Sequence, residues 1–422
     1  MAVQDFWLEK LRRDNLLKHP DFDTPALLLD LDLFVENAQL AFSALKRTNS
    51  KTKIRPHCKS IKSPQLARML LNMGANGICV AKLSEAEVMM NGGIDDILVT
   101  TEIAGPKKLT KLMILAARNP ELKIVVDNHI SVATLSDRCA KAGLKHQLKI
   151  LIDINVGQNR CGIEPDCDKV LALAEKILAS RHLQLIGLQG YEGHIQQAKP
   201  ERMQEQCLKS MQLLTSLKLQ IESALKSREF QFQTITTGGT GSFLTCATNQ
   251  YITEVQPGSF CTMDSSYKSS NGAQFANALA VATTVISTFA DRIVVDAGLK
   301  SLSTDMGNAK ATAPHQGYHY SPAGDEHGIL SKSEAKSKPD TPSGLDEVKS
   351  LDSALKPGDL VILLPSHCDT TLNLHDHLFL LGNEETLKTQ FEPITTARIG
   401  TAEPEHLRID RKLKIEGRGK SQ

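Results

Sequence analysis

The sequence has no charge excess, no long apolar run and no paired cysteine spacing, and each absence removes a class of protein. Its 49 basic and 48 acidic residues leave a net charge of +1. Neither nucleic acid nor an anionic membrane surface is therefore expected as a partner. No apolar stretch approaches the length of a membrane span. The opening "MAVQDFWLEKLRRDN" lacks the apolar core of a secretion signal. Nine cysteines, an odd number scattered without paired spacing, read as reduced thiols in a cytosol and not as a disulfide framework. No G-x-G-x-x-G falls between a strand-like and a helix-like run, which weakens a doubly wound sheet only slightly. No internal repeat or low-complexity tract is present.

What is present is ordinary globular composition, 41% hydrophobic and 23% charged. At 422 residues the chain is long enough for two domains. From about residue 25 to 245, short strand-like runs ("ALLLDLD", "IRPHC", "GICVA", "DILVTT", "KIVVD", "LKILIDIN", "LQLIGLQGY", "FQTITTGG") alternate with segments of helical spacing. About eight such repeats predict an α/β fold, a (β/α)₈ barrel. After about residue 250, "EVQPGSF", "ALAVATTVISTFA", "DRIVVDAG", "DLVILLP" and "HLFLL" predict a mostly β domain. The expected division is 25–262 for the barrel, with 1–24 and 263–422 in the β domain. The polar stretch 331–350 reads as an exposed loop.

Barrel enzymes carry their chemistry at the C-terminal ends of the strands. Those ends hold Lys59, Arg160, the group Tyr191, Glu192 and His194, and the stretch "GGTGS" at 238–242. Glycines followed by hydroxyls at a late strand end suit an anion held by backbone N–H groups. They suit a tight strand-to-helix turn as well. A lysine at a strand end is ordinarily a solvated side chain. Enclosed beside cations, it forms a Schiff base. A lysine and a phosphate cradle on one face are what pyridoxal phosphate requires.

In "LVILLPSHCD", strand alternation would put His367 and Asp369 on one side and Cys368 on the other. One imidazole and one carboxylate, completed by water, suit an octahedral Mn²⁺ or Mg²⁺ ahead of Zn²⁺. A hydrogen-bonded pair at a strand end is the other reading of the same residues. Cys368, like the other cysteines, reads as a packed thiol. His375, Asp376 and His377 read as loop or supporting groups.

Taken in order, "TPALLLDLD", "RPHCKS", "NVGQNRCG", "GYEGH", "TTGGTGS", "QPGSFCTMDSSY" and "PSHCDTTLNLHD" resemble the fold-type III pyridoxal phosphate enzymes of the D-threonine aldolase and D-serine dehydratase group. That resemblance implies an alanine racemase-like barrel with a β domain. It implies that Lys59 bonds the cofactor, that Arg160 lies near its phenolic oxygen and that Tyr191 lines the ring. It places Gly239, Thr240, Gly258 and Ser259 around the phosphate and Tyr267 close by. It assigns His367 and Asp369 to a divalent metal. Family aldolases typically carry Asp at the second of these positions and dehydratases Cys, and here it is Asp369.

The expected activity is retro-aldol cleavage of D-threonine and related D-3-hydroxy amino acids to glycine and an aldehyde. His194 is the candidate base, with a ring-stacking or hydrogen-bonding role as its alternative. The rival activity is D-serine or D-3-hydroxyaspartate dehydration at the same site, and a non-catalytic cofactor carrier is a third reading. The resemblance also implies a homodimer and a small amino-acid substrate.

Overall fold

Strand β1 (Ala26–Asp30) is buried at all five positions, yet it is not a barrel strand. Its partners belong to another sheet: antiparallel residues 279–282 and parallel residues 379–381. A continuous apolar run signals burial on both faces, which a barrel strand and a central strand of any covered sheet share. The computed structural model describes residues 6–48, 51–270, 274–332, 355–391 and 411–418. They form two compact units, one built on Asn37–Phe260 and the other on Met1–Glu36, Cys261–Ser269 and Gln274–Arg418.

The first unit holds eight parallel strands: β2 (Lys53–Ile54), β3 (Ile78–Val80), β4 (Ile97–Val99), β5 (Lys123–Val126), β6 (Leu148–Asp153), β7 (Leu183–Gln189), β8 (Thr234–Thr237) and β9 (Glu254–Val255). They run in the order β2-β9-β8-β7-β6-β5-β4-β3, and a parallel bridge between His57 and Cys79 joins the two ends. The eighth strand is therefore β9, from "EVQPGSF", whose texture reads with the β-domain runs although it falls within the expected barrel bounds of 25–262. Two residues followed by Gln256 and Pro257 are too few to show a period. Cys79, Leu98, Val125, Leu151 and Ile186, one from each of five consecutive strands, pack into one apolar cluster. Each such burial contributes roughly 1.5–3 kcal/mol for an aliphatic side chain.

The β2–β9 seam is held by charge. Arg55, 1% exposed, gives Nε to Glu254 Oε2 at 2.7 Å and Nη2 to Glu254 Oε1 at 2.8 Å. Its Nη1 reaches Asp96 Oδ1 at 2.6 Å. A bidentate guanidinium–carboxylate pair fixes orientation as well as distance, and it lies immediately before the His57–Ser60 turn. Ser63 then caps the helix Pro64–Asn72, accepting from Leu66 N–H with Pro64 at the first turn.

The second unit is built on β1 and eight further strands: β10 (Leu279–Thr288), β11 (Ile293–Val295), β12 (Lys310–Ala311), β13 (His319–Pro322), β14 (Gly328–Ser331), β15 (Leu360–Leu364), β16 (His377–Leu381) and β17 (Lys412–Lys414). Their order is β11-β14-β13-β12-β15-β10-β1-β16-β17, and β10 also pairs with β11. That extra pairing closes β10 to β15 into an antiparallel barrel, and β1, β16 and β17 extend the sheet from β10, with β1 and β16 parallel and β17 at its edge. Trp7, Leu11, Leu28, Ala280, Ile362 and Phe379 are among its core. Of the stretch read as a loop, Ser331 ends β14 and 333–350 lies outside the described residues. Among the described residues no helix is long and apolar enough to cross a membrane.

Candidate cofactor and metal sites

Lys59 sits in a one-turn helix, Cys58–Ser60, just after β2. His57 organises this turn: its Nδ1 accepts from Lys59 N–H at 3.4 Å, and its Nε2 lies 3.2 Å from Thr100 Oγ1 at the end of β4. The turn is stapled to the segment after β9. His57 N–H donates to Pro257 O at 3.0 Å, and Ser60 Oγ donates to Gly258 O at 2.9 Å. A Cβ on Gly258 would stand 3.0 Å from the His57 carbonyl oxygen, so a side chain there would push the two segments apart by a few tenths of an ångström. Lys59, Gly258 and the buried Ser259 are thus neighbours, although about 200 residues separate them.

The 238–242 loop is a scaffolded turn, and its scaffold uses most of its own donors. Gly238 N–H goes to Glu192 Oε2 at 3.2 Å, Gly239 N–H to Ser242 Oγ at 3.0 Å and Gly241 N–H to Gln196 Oε1 at 2.9 Å. A Cβ on Gly239 would stand 2.5 Å from Gln196 Oε1. The expectation that the glycine N–H groups wrap an anion is therefore corrected. Gly239 shapes the loop, and Thr240 is the residue whose N–H and hydroxyl are not spent on the loop scaffold among the described residues. Glu192 and Gln196, which the sequence leaves without a role, build the support. The near-invisible signal was their position, one and five residues beyond Tyr191.

Arg160 and Tyr191 come together from the ends of β6 and β7: the guanidinium carbon lies 5.9 Å from the ring centroid, within cation–π range. His194 follows in the one-turn helix Gly193–Ile195. It is exposed, and its ring lies against Gly157. A primary amine, a guanidinium over an aromatic ring and a hydroxyl-bearing loop are groups that fit pyridoxal phosphate chemically.

In the second unit, β15 stops at Leu364, and Pro365 supplies no N–H to extend it. The expected strand through residue 369 is thus corrected: His367 is extended, and the short helix Cys368–Leu372 begins after it. The pair nevertheless converges, with His367 Nε2 3.6 Å from Asp369 Oδ2, while Cys368 is wholly buried. The other ring nitrogen, Nδ1, lies 2.6 Å from Asp305 Oδ2. Asp305 is in turn bonded by Ser303 Oγ at 2.6 Å and Thr370 Oγ1 at 3.0 Å. Burial works to lower the His367 pKa, but Asp369 and Asp305 outweigh it and raise it to about 9.

One imidazole nitrogen and one carboxylate oxygen at this spacing are a donor set that fits a divalent ion, and the carboxylate on Nδ1 is the usual support of a metal-binding imidazole. Asp264 supports the same helix, accepting from Cys368 N–H at 3.3 Å and from Tyr267 N–H at 2.8 Å. Burial raises its carboxyl to about 6. Tyr267 thus lies in the second unit, in the helix Ser265–Ser270. His375 Nε2 lies 2.9 Å from Ser301 O, and Asp376 pairs with Arg418. Asp305 was not found from the sequence because no motif surrounds it.

Residues 29–266 match the alanine racemase N-terminal domain, and residues 278–381 match a putative serine dehydratase domain. The chain is similar to D-threonine aldolase of an Arthrobacter species, at 35% identity over 85% of this chain and 89% of that protein. It is similar to 3-hydroxy-D-aspartate aldolase of Paracoccus denitrificans, at 30% identity over 84% of this chain and 88% of that protein. The crystal structure of D-threonine aldolase from Filomicrobium marinum superposes with a TM-score of 0.76 at 31% identity, covering 95% of this chain and 97% of that one.

Proposed function

The chain belongs to the fold-type III pyridoxal phosphate enzymes of the D-threonine aldolase and D-serine dehydratase family, a family of lyases, and on that premise we propose that it cleaves D-threonine and related D-3-hydroxy amino acids to glycine and an aldehyde. The observation that carries this reading is the His367–Asp369 pair braced by Asp305, a carboxylate-and-imidazole site of aldolase type. The ion is Mn²⁺ or Mg²⁺ ahead of Zn²⁺.

When bound, pyridoxal phosphate supplies an electron sink at the substrate Cα, and the cation lowers the pKa of the β-hydroxyl. Lys59 carries the amine that bonds the cofactor. Arg160 and Tyr191 hold its ring, and Tyr267 borders it. Thr240, Gly258 and Ser259, with Gly239 shaping the loop, hold its phosphate. His367 and Asp369 hold the cation. His194 takes the β-hydroxyl proton as the Cα–Cβ bond breaks, and its exposure lets it pass that proton to solvent. Cα then takes up a proton and leaves as glycine. The family resemblance supports a homodimer, and the reading of the nine cysteines as reduced thiols supports a cytoplasmic location.

Dehydration is the second reading, favoured by the match of 278–381 to a putative serine dehydratase domain. The deciding experiment supplies protein, pyridoxal phosphate and Mn²⁺ with D- or L-threonine. Glycine and acetaldehyde in equal yield from the D isomer alone, lost on chelation and restored by Mn²⁺, is the expected result. Ammonia and a keto acid would establish dehydration instead.

A further inference from the structure

Behind the 238–242 loop, Glu192, Cys207 and Cys246 converge, with ligand atoms within 4.8 Å of one another. All three are 0% exposed, and the proposed reaction uses none of them. Cys207 lies in the helix Pro200–Ala224, and Cys246 ends the helix Phe243–Cys246 that follows the loop. Their sulfurs are 3.2 Å apart. Cys246 Sγ also donates to Glu192 Oε1 at 3.5 Å. The same carboxylate accepts from Ser242 Oγ, from Thr237 Oγ1 at 2.8 Å and from Gly238 N–H at 3.2 Å. An unbroken chain of contacts therefore joins the two sulfurs to the loop.

We propose that Cys207 and Cys246 form a reversible disulfide that loosens the cofactor-phosphate loop through Glu192. The proposal rests on the reading of that loop as the phosphate site. A soft metal ion fits the trio less well. Two thiolates on tetrahedral zinc at about 2.3 Å stand roughly 3.8 Å apart, so the sulfurs would have to separate, and a fourth ligand is missing from the trio. A disulfide of about 2.05 Å requires the sulfurs to close from 3.2 Å.

The oxidant is hydrogen peroxide. One thiolate attacks a peroxide oxygen, the O–O bond breaks, and a sulfenic acid and one water result. The second sulfur then attacks the first, the S–O bond breaks, and a second water leaves as the S–S bond forms. Two thiols lose one electron each, and one peroxide gains both. A dithiol reverses the step. The Cys207 contact, burial and the Glu192 charge hold the Cys246 thiol well above its ordinary pKa. Thiolate is therefore scarce, so oxidation is slow and requires peroxide in excess. The bond removes the S–H donor from Glu192 and draws the 243–246 helix toward the 200–224 helix.

The test treats cofactor-free protein with hydrogen peroxide and reads two signals: the peptide map by mass spectrometry and pyridoxal phosphate affinity by absorbance titration. Expected are a Cys207–Cys246 linked peptide, lighter by two hydrogens, and affinity weaker by about tenfold, the scale of one lost hydrogen bond to a charged group. Dithiothreitol reverses both. C207S shows neither, and C139S, altering a buried thiol elsewhere, shows both. Absence of the linked peptide overturns the proposal, as does a linked protein of unchanged affinity. Stoichiometric zinc that is lost in C207S also overturns it, in favour of a metal site. A protein that binds no pyridoxal phosphate in any redox state overturns the loop's role together with the reading it rests on, and the peptide map separates that failure from failure of the disulfide.

Discussion

Asp305 Oδ2 lies 2.6 Å from Nδ1 of His367, across 62 residues of sequence. The contact fixes the ring and directs the opposite nitrogen to the Asp369 side. D305N is expected to weaken Mn²⁺ binding by about 10–100-fold, the range for losing such a support. Mn²⁺ titration followed by electron paramagnetic resonance measures it. An unchanged affinity would remove Asp305 from the site.

D369A is expected to keep the yellow colour of the bound cofactor and lose aldehyde release. D369C should instead shift metal preference toward Zn²⁺, because thiolate is the softer ligand. Metal competition on the two variants, with the visible spectrum as a control for cofactor binding, checks both. Full activity in D369A would end the metal assignment.

K59A is expected to lose the borohydride-reducible link to pyridoxal phosphate and to fall below detectable turnover. Intact mass after reduction reads the first and aldehyde release the second. A link that persists would place the cofactor on another lysine.

R55M leaves Glu254 buried without its bidentate partner. Breaking a buried pair on one side costs about 3–5 kcal/mol, which urea unfolding would register. Burial raises the Asp96 carboxyl, but Arg55 and Lys123 outweigh it and hold the pKa below the usual value. Its contribution is present above the unfolded carboxylate range and is lost as pH falls through the lowered folded value. R55M should therefore flatten the loss of stability on the acid side. Equal acid sensitivity in both proteins would show that Arg55 does not hold Asp96.

Much of the proposed site is legible in the sequence. Lys59, Arg160, Tyr191 and the His367–Asp369 pair stand in the short motifs that carry the family resemblance, and most of the alternating runs correspond to the parallel strands. Strand membership was less legible at the ends of the pattern. β1 and β9 exchange places relative to expectation, because buried strands of different sheets have the same apolar texture and a two-residue strand has none.

The sequence by itself determined the alternation that builds a parallel barrel, the turn residues that end its strands and the reactive groups placed at those ends. These depend on periodicity and local backbone preference, which neighbouring residues carry. Tertiary structure decided which side chains brace them: Asp305 on His367, Gly258 on the Lys59 turn, and Glu192 and Gln196 under the 238–242 loop. A hydrogen bond depends on a few tenths of an ångström between groups far apart in the chain, and only the completed packing of strands and helices sets that distance.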